Sequence, residues 1–113
     1  MPFINTKTNV SISKEQQVLL KEEFGNAITL LGKSENWLML SFEDNKNLWF
    51  QGKNDKPLAM VEIALYGKAN NSQYDAMTEK VCQIINGVLG ISQDCIYVKY
   101  EEVDLWGYNG FNF

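Results

Sequence analysis

The sequence predicts an α/β protein, α+β by some schemes: a tandem βαβ repeat forming one four-stranded mixed sheet, with two helices on one face and short edge strands beside it. Three observations predict this. The second half repeats the first at an offset of 58 residues, the distance from Gly32 to Gly90. Each half carries one stretch with apolar residues at helical spacing, closed by one of those glycines. Each such stretch lies between two segments of alternating apolar residues, and parallel crossovers of this kind are right-handed, which puts both helices on the same side. The chain is therefore read as one domain over 1–113, with pseudo-repeats at about 1–50 and 57–113.

The first strand runs from Phe3 to Val10. Ser13 then caps a helix, Gln16 completes a capping box, and Leu20, Phe24, Ala27, Ile28 and Leu31 form the apolar stripe that Gly32 ends. In the repeat, Gly32, Ser34 and Glu43 recur as Gly90, Ser92 and Glu101, while Leu38, Leu40 and Phe42 recur as Ile96, Val98 and Tyr100. That alternation marks the second strand of each unit. The same offset lays Phe3-Ile4 on Val61-Glu62 in the first strands. Between the units, the polar segment from Glu43 to Lys56 is interrupted by Leu48-Trp49-Phe50 and reads as a hairpin with a short edge strand; Pro57 sits where the third main strand begins. The second helix carries Tyr74, Met77, Val81, Ile84, Ile85 and Val88 on one stripe, with Ser72 as the candidate cap. Ile4, Leu38, Leu40, Ile63, Ile96 and Val98 are then left as apolar alternates on an uncovered sheet face, which calls for cover by other copies of the chain. The run from Leu105 to Phe113 is too aromatic for a free tail and too broken for a helix, so it is expected to pack on something.

Composition narrows the function. A formal charge of -4 argues against nucleic acid or an anionic membrane surface as partner. No apolar stretch approaches the ~20 residues of a membrane span, and no basic segment with a long apolar run opens the chain. A cytoplasmic protein is the expectation, with leaderless secretion as the other route. All ten cations are lysines, since the chain has neither arginine nor histidine. His triads, His-bound metals and Arg forks are thereby removed, and no metal is expected. Cys82 and Cys95 lack the spacing of a zinc or redox pair and read as reduced packing thiols.

Pro2 directly follows Met1, so removal of Met1 would leave a secondary amine able to act as a base. Met1-Pro2, Thr8-Asn9-Val10, Gly32-Lys33, Gly67-Lys68, Ile96-Tyr97-Val98 and Trp106-Gly107-Tyr108-Asn109-Gly110, in that order, resemble the macrophage migration inhibitory factor family of the tautomerase superfamily over essentially the whole chain. The resemblance implies a homotrimer with active sites at subunit interfaces and keto-enol tautomerisation of phenylpyruvate-like 2-keto acids without a cofactor. It implies Pro2 as catalytic acid and base, Lys33 as the carboxylate-binding cation and Tyr66 as a backbone contact. Tyr97 and Lys99 would come from the neighbouring subunit, and Trp106, Tyr108 and Phe113 would form an aromatic wall. Leu58-Ala59-Met60-Val61 stands where animal members carry C-x-x-C, so no thiol oxidoreductase activity is expected. The alternative is a leaderless, cytokine-like interaction protein with a protein receptor and a vestigial pocket.

The chemistry itself needs a base near the substrate carbon, a cation for the carboxylate and a donor for the enolate oxygen. A free α-amine titrates near about 8, and cations with apolar walls lower that value. Tyr97 and Lys99, two apart on a strand, project from one face, while Ile96, Val98 and Tyr100 take the other. Singly, each residue has an ordinary structural reading: Lys33 as a helix-terminal charge, Tyr97 as a core or interface ring, Lys99 as a solvated strand residue. Their joint pattern carries the functional one.

Overall fold

The computed structural model describes residues Met1–Phe113. Strand β1 (Pro2–Thr8), helix α1 (Lys14–Ala27) and strand β2 (Met39–Glu43) make the first βαβ unit; β3 (Ala59–Tyr66), α2 (Asn71–Leu89) and β4 (Ile96–Val103) make the second. Within each unit the strands are parallel, and β1 pairs antiparallel with β3, giving the order β2-β1-β3-β4. This is the predicted mixed sheet. The aromatic C-terminal run folds into a separate hairpin, β5 (Gly107–Tyr108) and β6 (Phe111–Asn112).

Both helices open with a capping box. In α1, Ser13 accepts from the Gln16 amide at 3.1 Å while the Gln16 side chain accepts from the Ser13 amide at 2.8 Å. In α2 the cap is Asn70 and not the expected Ser72: Asn70 and Gln73 exchange the same two bonds, each at 2.9 Å. Ser72 instead donates to the Asn70 side-chain oxygen at 2.8 Å. The Asn70 box satisfies two otherwise orphaned amides and admits two more residues to the helix.

The caps are 57 residues apart, Ser13 to Asn70, whereas the terminal glycines are 58 apart, Gly32 to Gly90. The missing residue is absorbed where α1 gives way to a 3-10 turn over Ile28–Leu31, while α2 stays α-helical to Leu89. A 3-10 turn rises about 2.0 Å per residue against about 1.5 Å, so four residues of it span about the length of five α-helical ones. Strand pairing follows the shorter offset. Leu40 pairs with Ile4 and its counterpart Val98 pairs with Val61, so Ile4 matches Val61, and the expected overlay on Val61-Glu62 is one residue out. A one-residue slip exchanges strand faces; Ile4 and Val61 are both fully buried.

The core lies between sheet and helices. Leu20, Phe24 and Ile28 from the first half and Met77, Val81 and Ile85 from the second meet Ile4, Val61 and Ile63 there. Each such buried side chain contributes about 1.5–3 kcal/mol. The expected apolar open face does not exist: Ile4, Ile63 and Ile96 are in this core, and Leu38, Leu40 and Val98 pack against it. Once register is set, those residues form a single set of alternates serving the helices. The other set is mixed, with Phe3, Met39, Met60 and Tyr97 beside a polar cluster. Lys7 and Lys99 both pair with Glu62, at 3.1 and 3.2 Å, and the Asn5 amide donates to Glu43 at 2.7 Å and to Glu62 at 3.2 Å. Burial alone would raise the Glu62 carboxyl, but hydrogen bonds from Lys7, Lys99 and Asn5 hold it below its ordinary range.

The segment after β2 lacks the expected edge strand. It narrows to one bridge between Phe50 and Lys53 around Gln51 and Gly52, whose φ values are 54° and 77°. Asn109 and Gly110, between β5 and β6, adopt 53° and 91°. Positive φ at both central residues is what tight two-residue hairpins use, so the two turns are alike.

The cap assignment is testable by urea denaturation. Asn70→Ala is expected to lower the unfolding free energy by about 1 kcal/mol and Ser72→Ala by clearly less; the reverse order would return the cap to Ser72.

Candidate functional site

A cavity of about 560 Å³ opens where β1 begins, with Met1, Pro2, Trp37, Glu101, Trp106 and Tyr108 in its lining. Pro2 is the first residue of β1 and faces Leu65 across the ladder. The Met1 carbonyl accepts from the Tyr66 amide at 3.0 Å. Lys33 follows Gly32, whose φ of 71° ends the 3-10 turn, and its ammonium donates to the Tyr66 carbonyl at 2.9 Å. The two backbone polar groups of Tyr66 therefore tie the start of the chain and the Lys33 cation to one point. Partial burial first, and the charge of Lys33 second, hold the Met1 amine below its ordinary range. With Met1 in place, the Pro2 nitrogen is an amide.

The C-terminal hairpin forms one wall. The Phe113 amide donates to the Trp106 carbonyl at 3.0 Å, and the Phe113 ring lies 5.7 Å from that of Tyr66. Tyr108 meets Trp37 edge-on at 5.3 Å and 81°. Trp37 was not among the expected site residues, because it reads as one position in a strand alternation. It in fact closes a short 3-10 turn, Glu35–Trp37, started by Ser34, whose hydroxyl accepts from the Asn36 amide at 3.1 Å. Glu35 rests against α1 at Gly25, where any Cβ would overlap its carboxylate. A buried glycine inside the first helical stripe, where alanine is the better helix former, was the available sign that something packs there.

Of the residues expected at the site, Pro2, Lys33, Tyr66, Trp106, Tyr108 and Phe113 gather at this end of the sheet. Tyr97 and Lys99 do not join them within one chain. Tyr97 is in register with Met60 and Pro2 with Leu65, positions about 17 Å apart along a strand. Tyr97 is 59% exposed, and Lys99 is engaged with Glu62. No group of three or more acidic or cysteine side chains gathers as a metal centre. No helix is long and apolar enough to cross a membrane.

The family model for macrophage migration inhibitory factor (MIF) matches residues 1–113. The macrophage migration inhibitory factor of Meriones unguiculatus is 27% identical over 115 residues, covering 100% of this chain and 99% of that protein. Among solved structures, MIF2 of Leishmania major is similar at a TM-score of 0.94 and 32% identity, over 100% of this chain and 97% of that one. The macrophage migration inhibitory factor homologue of Prochlorococcus marinus superposes at 0.89 with 34% identity, covering 98% of each chain.

The amine's environment has a direct test. Replacing Lys33 with methionine is expected to raise the pKa of the chain's terminal amine without restoring its ordinary value, because burial, the larger cause, remains. An NMR pH titration of the terminal residue reads this, and a fall in pKa would contradict it.

Proposed function

This chain belongs to the macrophage migration inhibitory factor family, and from that premise we propose that it is a cofactor-independent keto-enol tautomerase of phenylpyruvate-like 2-keto acids. It acts as one domain over residues 1–113, once Met1 has been removed. The observation that supports this most is the placement of the start of β1 in an aromatic-walled cavity where burial and Lys33 both lower the proton affinity of an amine. Loss of Met1 leaves the Pro2 nitrogen as a secondary amine there. It also frees the Tyr66 amide, now bonded to the Met1 carbonyl, to contact substrate.

In the proposed reaction Pro2 takes a proton from the carbon beside the ketone, and the resulting enolate oxygen receives that proton back to give the enol. While charge builds on the oxygen, the phenol of Tyr97 from a neighbouring copy donates to it. Lys33 and Lys99 hold the carboxylate. A lysine is a point charge with no orienting fork, so the flat wall of Trp106, Tyr108 and Phe113 sets the angle of the aryl ring. The exposure of Tyr97, away from Pro2 in its own chain, supports a homotrimer with sites shared between copies.

A phenylpyruvate assay on protein whose intact mass shows loss of Met1 tests the reading. Pro2→Gly, or an alanine inserted before Pro2, is expected to lower kcat by about 10²- to 10⁴-fold; unchanged rates in both would sink it. Sharing between copies is tested by refolding Pro2→Gly and Tyr97→Phe chains together. Each is expected to be slow alone, and the mixture should recover about one site in four, the frequency with which random assembly puts an intact Pro2 beside an intact Tyr97. Absence of recovery would place both groups in one chain.

A further inference from the structure

One row of residues runs in register across all four strands beneath the Pro2 cavity: Met39 faces Phe3, Phe3 faces Ala64, and Ala64 faces Glu101. All four line the cavity. Three are apolar, and Glu101 is the only charged side chain in the lining. Its neighbours one position back, Ile63 beside Ala64 and Tyr100 before Glu101, belong to the core side, so Ala64 and Glu101 share the open face. Glu101 is exposed and takes part in none of the chain's ion pairs; the nearby lysines Lys7 and Lys99 are both held by Glu62. A carboxylate thus stands uncompensated in a cavity that is otherwise mostly apolar and aromatic.

Lys33 marks a different level of the sheet. Its ammonium donates to the Tyr66 carbonyl, and Tyr66 is in register with Val103, two residues beyond Glu101 on β4. Two strand residues rise about 6.6 Å, roughly the length of a small aryl acid. The cavity is therefore polarised along the strands, positive at the level of Tyr66 and negative at the level of Ala64. An aryl 2-keto acid whose carboxylate is held at the positive level carries its ring toward the row that ends in Glu101. A neutral ring meets Phe3, Met39 and the edge-on pair of Trp37 and Tyr108 there. A ring bearing a second anion meets a like charge, and repulsion of that kind is a means of selection against the wrong ligand.

We propose that Glu101 is a specificity-determining residue of this cavity, admitting aryl acids with a neutral ring and rejecting those whose ring carries a second anion. The ligand class rests on the reading of the cavity as an aryl keto-acid site. Two probes of nearly equal size separate charge from bulk: para-carbamoylhydrocinnamate and para-carboxyhydrocinnamate, which lack the ketone and are titrated calorimetrically into the Met1-free protein. The carbamoyl acid is expected to bind about tenfold more tightly, the discrimination of roughly one close like-charge contact. Glu101→Gln, which keeps the shape and removes the charge, should bring the ratio close to one, and Glu101→Lys should reverse it. High ionic strength should narrow the preference of the unaltered protein, as a purely steric preference would not. Equal binding of the two acids, a preference that survives Glu101→Gln, or binding of neither acid overturns the proposal. Phenylpyruvate turnover by the same preparation separates this from the catalytic reading: selective binding without turnover fails the tautomerase and leaves Glu101 its role, whereas turnover with equal binding fails only the role of Glu101.

Discussion

The β1–β3 ladder runs from Pro2 against Leu65 to Thr8 against Ala59, and the rest of the molecule takes its position from it. A single βαβ unit has two strands and one helix, too little to enclose a core. Antiparallel pairing of the two first strands sets the units side by side, so that both helices close over one shared interior. At one end the ladder brings the Tyr66 amide to the Met1 carbonyl. At the other, the Thr8 hydroxyl donates to the Leu58 carbonyl at 2.7 Å. The Asn9 side chain accepts from the Leu58 amide and donates to the Lys56 carbonyl, both at 2.8 Å. Thr8-Asn9-Val10 therefore seals the ladder at the end remote from the candidate site.

The same ladder determines the character of the open face. It sets Asn5 opposite Glu62, and β4 sets Lys99 beside Glu62 from the other side. Asn5 is buried with its side-chain oxygen unpartnered, although its amide reaches two carboxylates. The shared carboxylates and lysines on this face add only modest association energy, because desolvation offsets much of the attraction. Such a face specifies orientation more than affinity.

Local features were legible in the sequence. Ser13 with Gln16, the stripe from Leu20 to Leu31 and the closing glycines needed only neighbours in the chain to be read. Faces were not legible, because a period of two offers two sets of alternates and only pairing register chooses between them. Ile4, Leu40 and Val98 were thus sent to the wrong side, although their apolar character was plain. The Asn70 cap was obscured by Ser72, a residue equally able to cap on type alone. At the candidate site, Pro2, Lys33 and the aromatic hairpin sit near turns and a chain end, where composition speaks clearly. Trp37 depends on a 3-10 turn held by Glu35 against Gly25, a tertiary contact that no spacing announces. Tyr97 and Lys99, legible as a pair on one strand face, lie away from the cavity of their own chain.

The 3-10 turn over Ile28–Leu31 preserves angular phase as well as length. Four residues at about 120° each sweep about 480°, and five at about 100° sweep about 500°, so the two helices release their chains at nearly the same azimuth. Gly32 and Gly90 accordingly exit at φ 71° and 69°, both with ψ 22°. The residues that follow, Lys33 and Ile91, arrive at equivalent places despite the unequal count behind them. One half can gain or lose a helical residue without rotating the position after its glycine, and a choice of side chain there decides between a cation and a core plug.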